Sequence, residues 1–386
     1  MGKSRTRLGI AAGTALASLA LALPAQAAQA VQGDSAEALT GKACTPSITV
    51  LQSLPGTADP QPWNHDTQVN GFGPLALSVG VSRKLPVYWL GTSVHRVPLP
   101  AGYTAGSVAA VNRFGLMVGT LTGPGLEPGA FSYRPGARAV RLLAGGGSAK
   151  DVNDQSRIVG DKRTQDGLVG VEWSGTAIRR ELALPAQVRG LEAIGGINNA
   201  GEIVGNGYGA TEDGGYDVAL RWHADAAAPA TELPPISPGD TYSRYTPADI
   251  DEKGHITGTY LFTREGYSHG VIWRPPYTNV TAAGLLADRM TGGFDDISPT
   301  TGVSVGTAAE EEAFPPEPVP LLQAQIWPGS GPVMALPHLA PMRWSAAYAV
   351  TDDDRVGGVS ADTVGTPHPV IWNCALKQAY VPTPRT

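Results

Sequence analysis

From residue 107 to residue 144 the chain reads SVAAVN (107–112), LMVGTLT (116–122), GAFSYRP (129–135) and RAVRLLA (138–144). Each stretch is apolar or alternating, rich in β-branched, aromatic or small residues, and bounded by Gly, Pro or Asn. That pattern predicts four short strands. Beyond residue 30 no segment keeps a helical period over three turns. The first of these strands runs into a phrase, VNRFGLMVG (111–119), that returns as VNDQSRIVG (152–160), INNAGEIVG (197–205) and IDEKGHITG (250–258). Looser copies are VNGFGPLALSVG (69–80), ISPTTGVSVG (297–306) and VTDDDRVGG (350–358).

Aligned on the polar residue that opens the turn, the seven copies fall at Asn70, Asn112, Asn153, Asn198, Asp251, Ser298 and Thr351. Their separations of 42, 41, 45, 53, 47 and 53 residues match four-stranded propeller repeats. An aromatic follows each copy: Trp89, Tyr133, Trp173, Trp222, Trp273, Trp327 and Trp372, so six of the eight tryptophans share one repeat position. The polar residue bonds its own backbone to start a tight turn. Gly115, Gly201 and Gly254 supply the positive φ of a hairpin. Gly119, Gly160, Gly205 and Gly258 sit inside the next strand, where another backbone approaches closely. The aromatic fills the wedge between adjacent sheets.

The expectation is therefore an all-β protein, a β-propeller of seven four-stranded blades starting near residues 63, 107, 148, 193, 246, 293 and 346. Six blades or an irregular propeller is the alternative. Closure falls to the terminal strands. SITVLQSLP (47–55) and KQAYVPTP (377–384) both resemble an outer strand, and the choice between them stays open. Cys44 precedes the first and Cys374 ends the seventh third-strand, which places a disulfide between them if the first lies antiparallel beside that strand.

Composition refines the picture. Lys3, Arg5 and Arg7 precede the apolar LGIAAGTALASLALAL, and Ala25-Gln26-Ala27 and Ala28-Gln29-Ala30 fit signal peptidase. Residues 1–30 read as a secretory signal peptide, 31–43 as a flexible linker and 44–386 as a single domain. The mature protein is expected to be secreted and extracellular, without membrane attachment. Forty-nine Gly, 33 Pro and 16% charged residues suit short strands and turns. A net charge of −6 gives no footprint for nucleic acid, and two cysteines exclude thiolate metal sites.

The pattern I/V-N, turn glycine, I/V-V-G and A/V-x-x-W resembles the HAF family of extracellular repeats. INNAGEIVG with VALRW (218–222) and VNDQSRIVG with VGVEW (169–173) carry the resemblance, which spans roughly residues 60–374. The copies at 69–80, 297–306 and 350–358 depart from it. Membership implies a secreted bacterial β-propeller of unassigned biochemical role and brings no catalytic motif.

Chemistry is sparse. The phosphate loop, HExxH helix, GxSxG elbow and EF-hand loop are all missing, and the seven histidines pair at no ligand spacing. Asp352-Asp353-Asp354 and Glu310-Glu311-Glu312 read as solvated runs. Asp249/Asp251 and Asp295-Asp296 bracket first strands and face the channel, where carboxylates suit a hard cation such as calcium, although no metal or cofactor is assigned. The connection from second to third strand varies most, and variable loops on a rigid scaffold carry binding. Three such stretches combine rings and charge, in units four and five: Tyr208, Tyr216, Tyr242, Arg244, Tyr245, Arg264, Tyr267 and His269 form the candidate ligand surface. The leading function is a monomeric binding module for an extracellular polysaccharide or protein. The alternative is a polymer-degrading hydrolase or lyase with carboxylates at the channel mouth, for which Asp213, Asp240, Asp249 and Arg244 are the first groups to inspect.

Overall fold

A computed structural model of the protein describes residues 44–56, 66–211, 214–224, 227–236, 243–262, 266–287, 289–310, 322–341 and 343–383. The signal and linker segments lie outside these residues, and Cys44–Thr386 forms one compact unit. The described strands make seven four-stranded antiparallel sheets, two of them joined by a single parallel bridge between Ser268 and Thr291. Each sheet is one repeat, here called a blade. The inner strands of blades 1 to 7 are Thr67–Phe72, Ala105–Val111, Ser148–Val152, Val188–Ile197, Ser243–Ile250, Thr291–Ile297 and Ser345–Val350. Blade 2 shows the sequence-predicted quartet, with Ala105–Val111, Met117–Thr122, Gly129–Tyr133 and Arg141–Leu142 in hydrogen-bonded order.

A sheet with two apolar faces must be covered on both, and here each blade covers the next. Val79 and Tyr88 of blade 1 meet Val108 and Phe131 of blade 2. Equivalent apolar clusters fill the seams between blades 2 and 3, 3 and 4, 4 and 5, 5 and 6, and 6 and 7. The last cluster closes the ring, setting Leu51, Leu54 and Ile371 against Val69, Val87 and Trp89 of blade 1.

The recurring aromatic is the wedge. Trp89, Trp173, Trp273 and Trp372 are fully buried, and each finds a partner for its indole N–H, as a buried donor must. Trp173 donates to Ala144 O at 2.9 Å and Trp222 to Ala183 O at 2.7 Å. Trp273 donates to Pro234 O at 2.9 Å, Trp372 to Pro337 O at 2.8 Å and Trp89 to Gln52 O at 2.8 Å. In these five the acceptor follows the outer strand of the preceding blade. Trp327 departs from the rule, turning to Gly331 O of its own hairpin at 3.0 Å.

All seven inner strands carry a register shift near the axial end, for example between Ala149 and Asp151. Such a bulge drives a carbonyl toward the facing strand. A Cβ on Gly160 would collide with the Ser148 carbonyl, which is why glycine stands there. Gly201, at φ +82°, makes the turn that the phrase requires.

One repeat is offset from the sequence alignment. Gly73, not Asn70, donates across the first turn, to Leu77 O at 2.9 Å, as Asn112 does to Leu116 O at 3.1 Å. Asn70 lies three residues earlier, on the bulge, where its amide reaches Val108 O at 2.8 Å. An Asn-Gly pair three residues before the true turn produced the misalignment; counted from Gly73, the strand glycine Gly80 stands at the same seven-residue spacing as Gly119 from Asn112.

Both terminal segments pair, in different places. Ser47–Val50 runs antiparallel to Pro367–Asn373 and supplies the fourth strand of blade 7. The C-terminal segment makes a one-turn helix, Ala375–Gln378, after which Tyr380 bridges Ala335 on the outer strand of blade 6. Cys44 and Cys374 are disulfide-bonded, with 6.0 Å between Cα atoms and 330 residues between them. Loop closure of that length limits the unfolded state by up to about 5 kcal/mol. Replacing both cysteines by serine should lower the denaturation midpoint by a large part of that amount, measured by chemical unfolding beside the oxidised parent. An unchanged midpoint would show that the strand pairing alone closes the ring.

Candidate functional site

The phrase that builds the hairpins also builds a wall. Asn153 Oδ1 accepts from Gln155 N–H at 3.1 Å and Arg157 N–H at 3.0 Å, closing its own turn. Its Nδ2 donates to Asn198 O of the next blade at 3.0 Å. Asn112 reaches Asn153 O at 2.9 Å, and Asn198 reaches Asp251 O at 3.1 Å, in the same way. One residue on, a second tier repeats the step. The Arg113 amide donates to Asp154 Oδ1 at 3.1 Å, the Asp154 amide to Asn199 Oδ1 at 2.8 Å, and the Thr300 amide to Asp352 Oδ1 at 2.8 Å.

Inside this wall lies a cavity of about 670 Å³ on the ring axis, lined from all seven blades. Its collar is the last residue of each inner strand: Phe72, Val111, Val152, Ile197, Ile250, Ile297 and Val350. In six blades the residue before also lines it, as a floor: Gly71, Ala110, Asp151, Asp249, Asp296 and Ala349. Three carboxyls thus converge on the axis, while Val152, Ile197, Ile250, Ile297 and Val350 beside them are buried in the seams between blades.

Backbone amides and neighbouring carboxyls hold them. Asp151 Oδ2 accepts from Ile197 N–H of blade 4 at 2.8 Å, and Asp296 Oδ2 accepts from Val350 N–H of blade 7 at 2.6 Å. Asp249 hydrogen-bonds Asp296 and its own blade's Ile250 amide. Its Oδ1 packs where a Cβ on Gly196 would stand, so the glycine of blade 4 makes room for the carboxylate of blade 5.

Electrostatics follow from crowding like charges in a confined bore. Burial raises the Asp249 carboxyl well above its ordinary value, and the charges of Asp296 and Asp151 raise it further. Burial lifts Asp296 to about 6, while the hydrogen bonds from Asp249 and the Val350 amide pull it down. Asp151 is raised by burial against the pull of the Ile197 and Val152 amides. One residue earlier on the same strand, Asp295 is exposed to solvent, with protein packed closely around its carboxyl. Burial and Asp296 push it up to about 7. Across from it the Tyr348 hydroxyl is raised by burial and by the Asp295 charge. A hydrogen-bonded carboxyl pair holds a proton between its members, so near neutrality the floor offers a donor and an acceptor together.

The sequence pointed to Asp249, Asp251, Asp295 and Asp296 as channel-facing; Asp249 and Asp296 line the axial cavity. Asp251 belongs to the turn, where it accepts from Lys253 and His255 amides at 2.8 and 2.7 Å and pairs with His255 Nδ1 at 2.9 Å. Asp151 was missed, although it stands two residues before its turn Asn153 as Asp249 and Asp296 stand before Asp251 and Ser298. Among the described residues no group of three or more His, Cys, Asp or Glu is placed to hold a metal ion.

The described members of the predicted surface of units four and five stand in different settings, and Tyr245 is in the core. Tyr245 alternates inward with Ser243 and Pro247, is 4% exposed, and packs on Tyr260 and Trp273 while its hydroxyl accepts from Ile236 N–H at 2.8 Å. Tyr267 stacks on Phe262 and meets His269 edge-on at 5.3 Å, within blade 5. Tyr208 is exposed on Ile203–Thr211, its ring over Gly190, and Arg244 pairs with Asp217 at 3.5 Å. Tyr216 lies on the strand Gly214–Trp222 opposite Gly209. Tyr242, Arg264, Asp213 and Asp240 lie outside the described residues.

The folded carboxyls at the axis bind protons more tightly than they do in an unfolded chain. Stability is then highest below the ordinary carboxylate value of about 4 and falls as pH rises through about 6 and 7, where Asp296 and Asp295 ionise. Asp249→Asn should flatten that fall, read from urea midpoints across the interval. A midpoint that climbs over the same range would contradict this electrostatic picture.

Among solved structures the chain is similar to a puromycin hydrolase complexed with PGG, at 16% identity and a TM-score of 0.51, covering 86% of this chain and 56% of that one. The chain thus spans about half of that protein. It is also similar to the β-propeller domain of the Trilobed protease from Pyrococcus furiosus (12% identity, TM-score 0.49, 77% and 89% covered). A third is a chain of the mitotic checkpoint complex (12%, 0.43, 84% and 93%). No family model and no curated protein matches the sequence. No helix among the described residues is long and apolar enough to cross a membrane. With four-stranded sheets packed face to face around an axial cavity, the fold is a β-propeller.

Proposed function

We propose that the chain is a secreted, monomeric binding propeller of the HAF-repeat type. It holds an extracellular ligand, a saccharide or a protein segment, in the axial funnel rather than on the aromatic face of blades 4 and 5. One observation carries this reading. The ends of all seven inner strands line a single cavity of about 670 Å³, with the carboxyls of Asp151, Asp249 and Asp296 in its lining. That size and make-up match ligand sites in general. The Cys44–Cys374 disulfide is in keeping with an oxidising, extracellular compartment. Two of the three floor carboxylates accept amides from neighbouring blades, which fixes their positions beside Asp249.

The second reading is a hydrolase or lyase acting on an extracellular polymer. It is favoured by the hydrogen-bonded Asp249–Asp296 pair, which holds a proton at the channel mouth as acid–base work requires.

Glycan and peptide arrays probed with the purified protein test the proposal. Hits should disappear with Val111→Trp, which fills the collar, and survive Tyr208→Ala and Arg244→Ala. The reverse pattern moves the ligand to blades 4 and 5, and an array without hits at high protein concentration ends the binding reading. Breakdown of a polymer that Asp249→Asn abolishes establishes the second reading instead.

A further inference from the structure

Charge is divided unevenly around the ring. Residues 66–147, which make blades 1 and 2, carry seven Lys and Arg against two Asp and Glu. Residues 148–386 carry 17 against 29. The net charge of −6 therefore hides a basic pole on two neighbouring blades. Such asymmetry points to an anionic partner surface.

On the face that bears the hairpin turns, this pole is also apolar. In blade 1 the turn Pro74–Leu77 leaves Leu75 95% exposed. The blade's other turn on that face is tied to it, with the Gly91 amide on Ala76 O at 3.1 Å, and leaves Leu90 47% exposed. A Cβ on Gly115 in the neighbouring turn of blade 2 would touch Leu77, and that turn leaves Phe114 55% exposed. The Arg113 guanidinium lies over the Phe114 ring, 4.8 Å from its centre, and Arg134 Nη1 donates to Phe114 O at 2.6 Å. Arg138 is exposed on the same connection as Arg134. The four turn segments, 73–76, 91–92, 112–116 and 134–140, contain no acidic residue. Acids resume on either side, at Asp154 of blade 3, which pairs with Arg113 at 3.2 Å, and at Asp352 of blade 7.

Folding does not account for Leu75. Leu75 and Ala76 stand at φ +53° and +60°, where a two-residue hairpin turn favours Asn-Gly. The turn Arg83-Lys84, at the opposite end of the same hairpin strand, has the same geometry and places charged residues there, as an exposed turn ordinarily does. In the first turn the strain is borne by a leucine that gains no burial. Strain kept where it gives folding nothing marks a functional turn. A leucine this exposed at the tip of a turn has no walls around it to hold a peptide, but it enters a soft apolar phase readily.

We propose that this corner of blades 1 and 2 docks on an anionic lipid bilayer. Leu75, Leu90 and Phe114 enter the interface, and Arg134 and Arg138 meet the lipid phosphates. The sequence reading expected no membrane attachment; the contact inferred here is peripheral and needs no spanning helix. None of the three apolar tips lines the axial cavity, so the surface is separate from the funnel. The same lipids repel the carboxylates of blades 3 to 7, so the ring tilts onto its corner rather than lying flat.

Co-sedimentation of the purified mature protein with sucrose-loaded vesicles tests this. Partition into vesicles of equal parts phosphatidylglycerol and phosphatidylcholine should exceed that into phosphatidylcholine alone by at least about tenfold, and should fall as salt is raised. Leu75→Asp, and Arg134→Glu combined with Arg138→Glu, should each weaken binding about tenfold or more. Lys84→Glu should leave it within about twofold, since salt screens charge beyond a Debye length of about 10 Å. Leu75→Gly suits the left-handed turn, so it should keep the parent's unfolding midpoint and still bind weakly, which separates loss of binding from loss of fold. Equal partition into both vesicles, no partition at all, or indifference to Leu75→Asp would overturn the assignment. Self-association of the free protein that Leu75→Asp abolishes, seen by sedimentation velocity, would give the patch to a second copy instead.

Discussion

At the axis of a ring of sheets each inner strand has an edge with no further strand to pair with. The turn residue of the repeat answers that constraint with one side chain. In Asn112, Asn153 and Asn198 the carbonyl oxygen closes the local turn, and the amide group clasps the next blade's main chain. Ionised aspartate has no donor, and the Ser298 hydroxyl is engaged within its own turn, by Thr301 Oγ1 and the Val303 amide. From Asp251 onward the clasp is carried instead by the Glu252 amide on Pro299 O at 2.9 Å and by Asp352 on the Thr300 amide at 2.8 Å. The tryptophans do for the outer half of the seam what the asparagines do for the inner half. Both pair a large or polar group of one blade with a carbonyl of another.

The floor of the funnel grows from the same demand. A bulge near the axial end of each inner strand leaves amides that need acceptors, and Asp151 and Asp296 accept those of Ile197 and Val350 across the seams. Asp249 meets Asp296 and its own strand instead, and is the most strongly raised of the three. Two carboxylates explained by architecture and one that adds charge beside them distinguish a structural clasp from a site. That surplus is the physical ground for a ligand at the axis.

Most of the fold was legible in the sequence because the repeat is written in residues with narrow conformational meaning. Turn glycines, recurring tryptophans and two cysteines each allow few placements, and each stands where the pattern put it. Copy one slipped because VNGFGP offers an Asn-Gly pair three residues before the true turn at Gly73. The funnel was only half legible. Asp249 and Asp296 were recognisable as channel residues, but Asp151 emerges only when the position two before each turn is compared around the ring. The aromatic surface read from composition loses Tyr245 for a simpler reason. Strand alternation turns Tyr245 into the core, and packing within blade 5 occupies Tyr267 and His269. Loop variability marks where a scaffold can change, whereas this cavity is made by its most constant turns.

The central claim is that like charges meet on the axis and share a proton. Carbon-detected NMR of the aspartate carboxyls, followed from about pH 3 to about pH 9, measures it directly. Asp249 and Asp296 should titrate together in two steps, the upper one at about pH 6 or above. Three floor aspartates titrating independently near the ordinary value of about 4 would contradict the account.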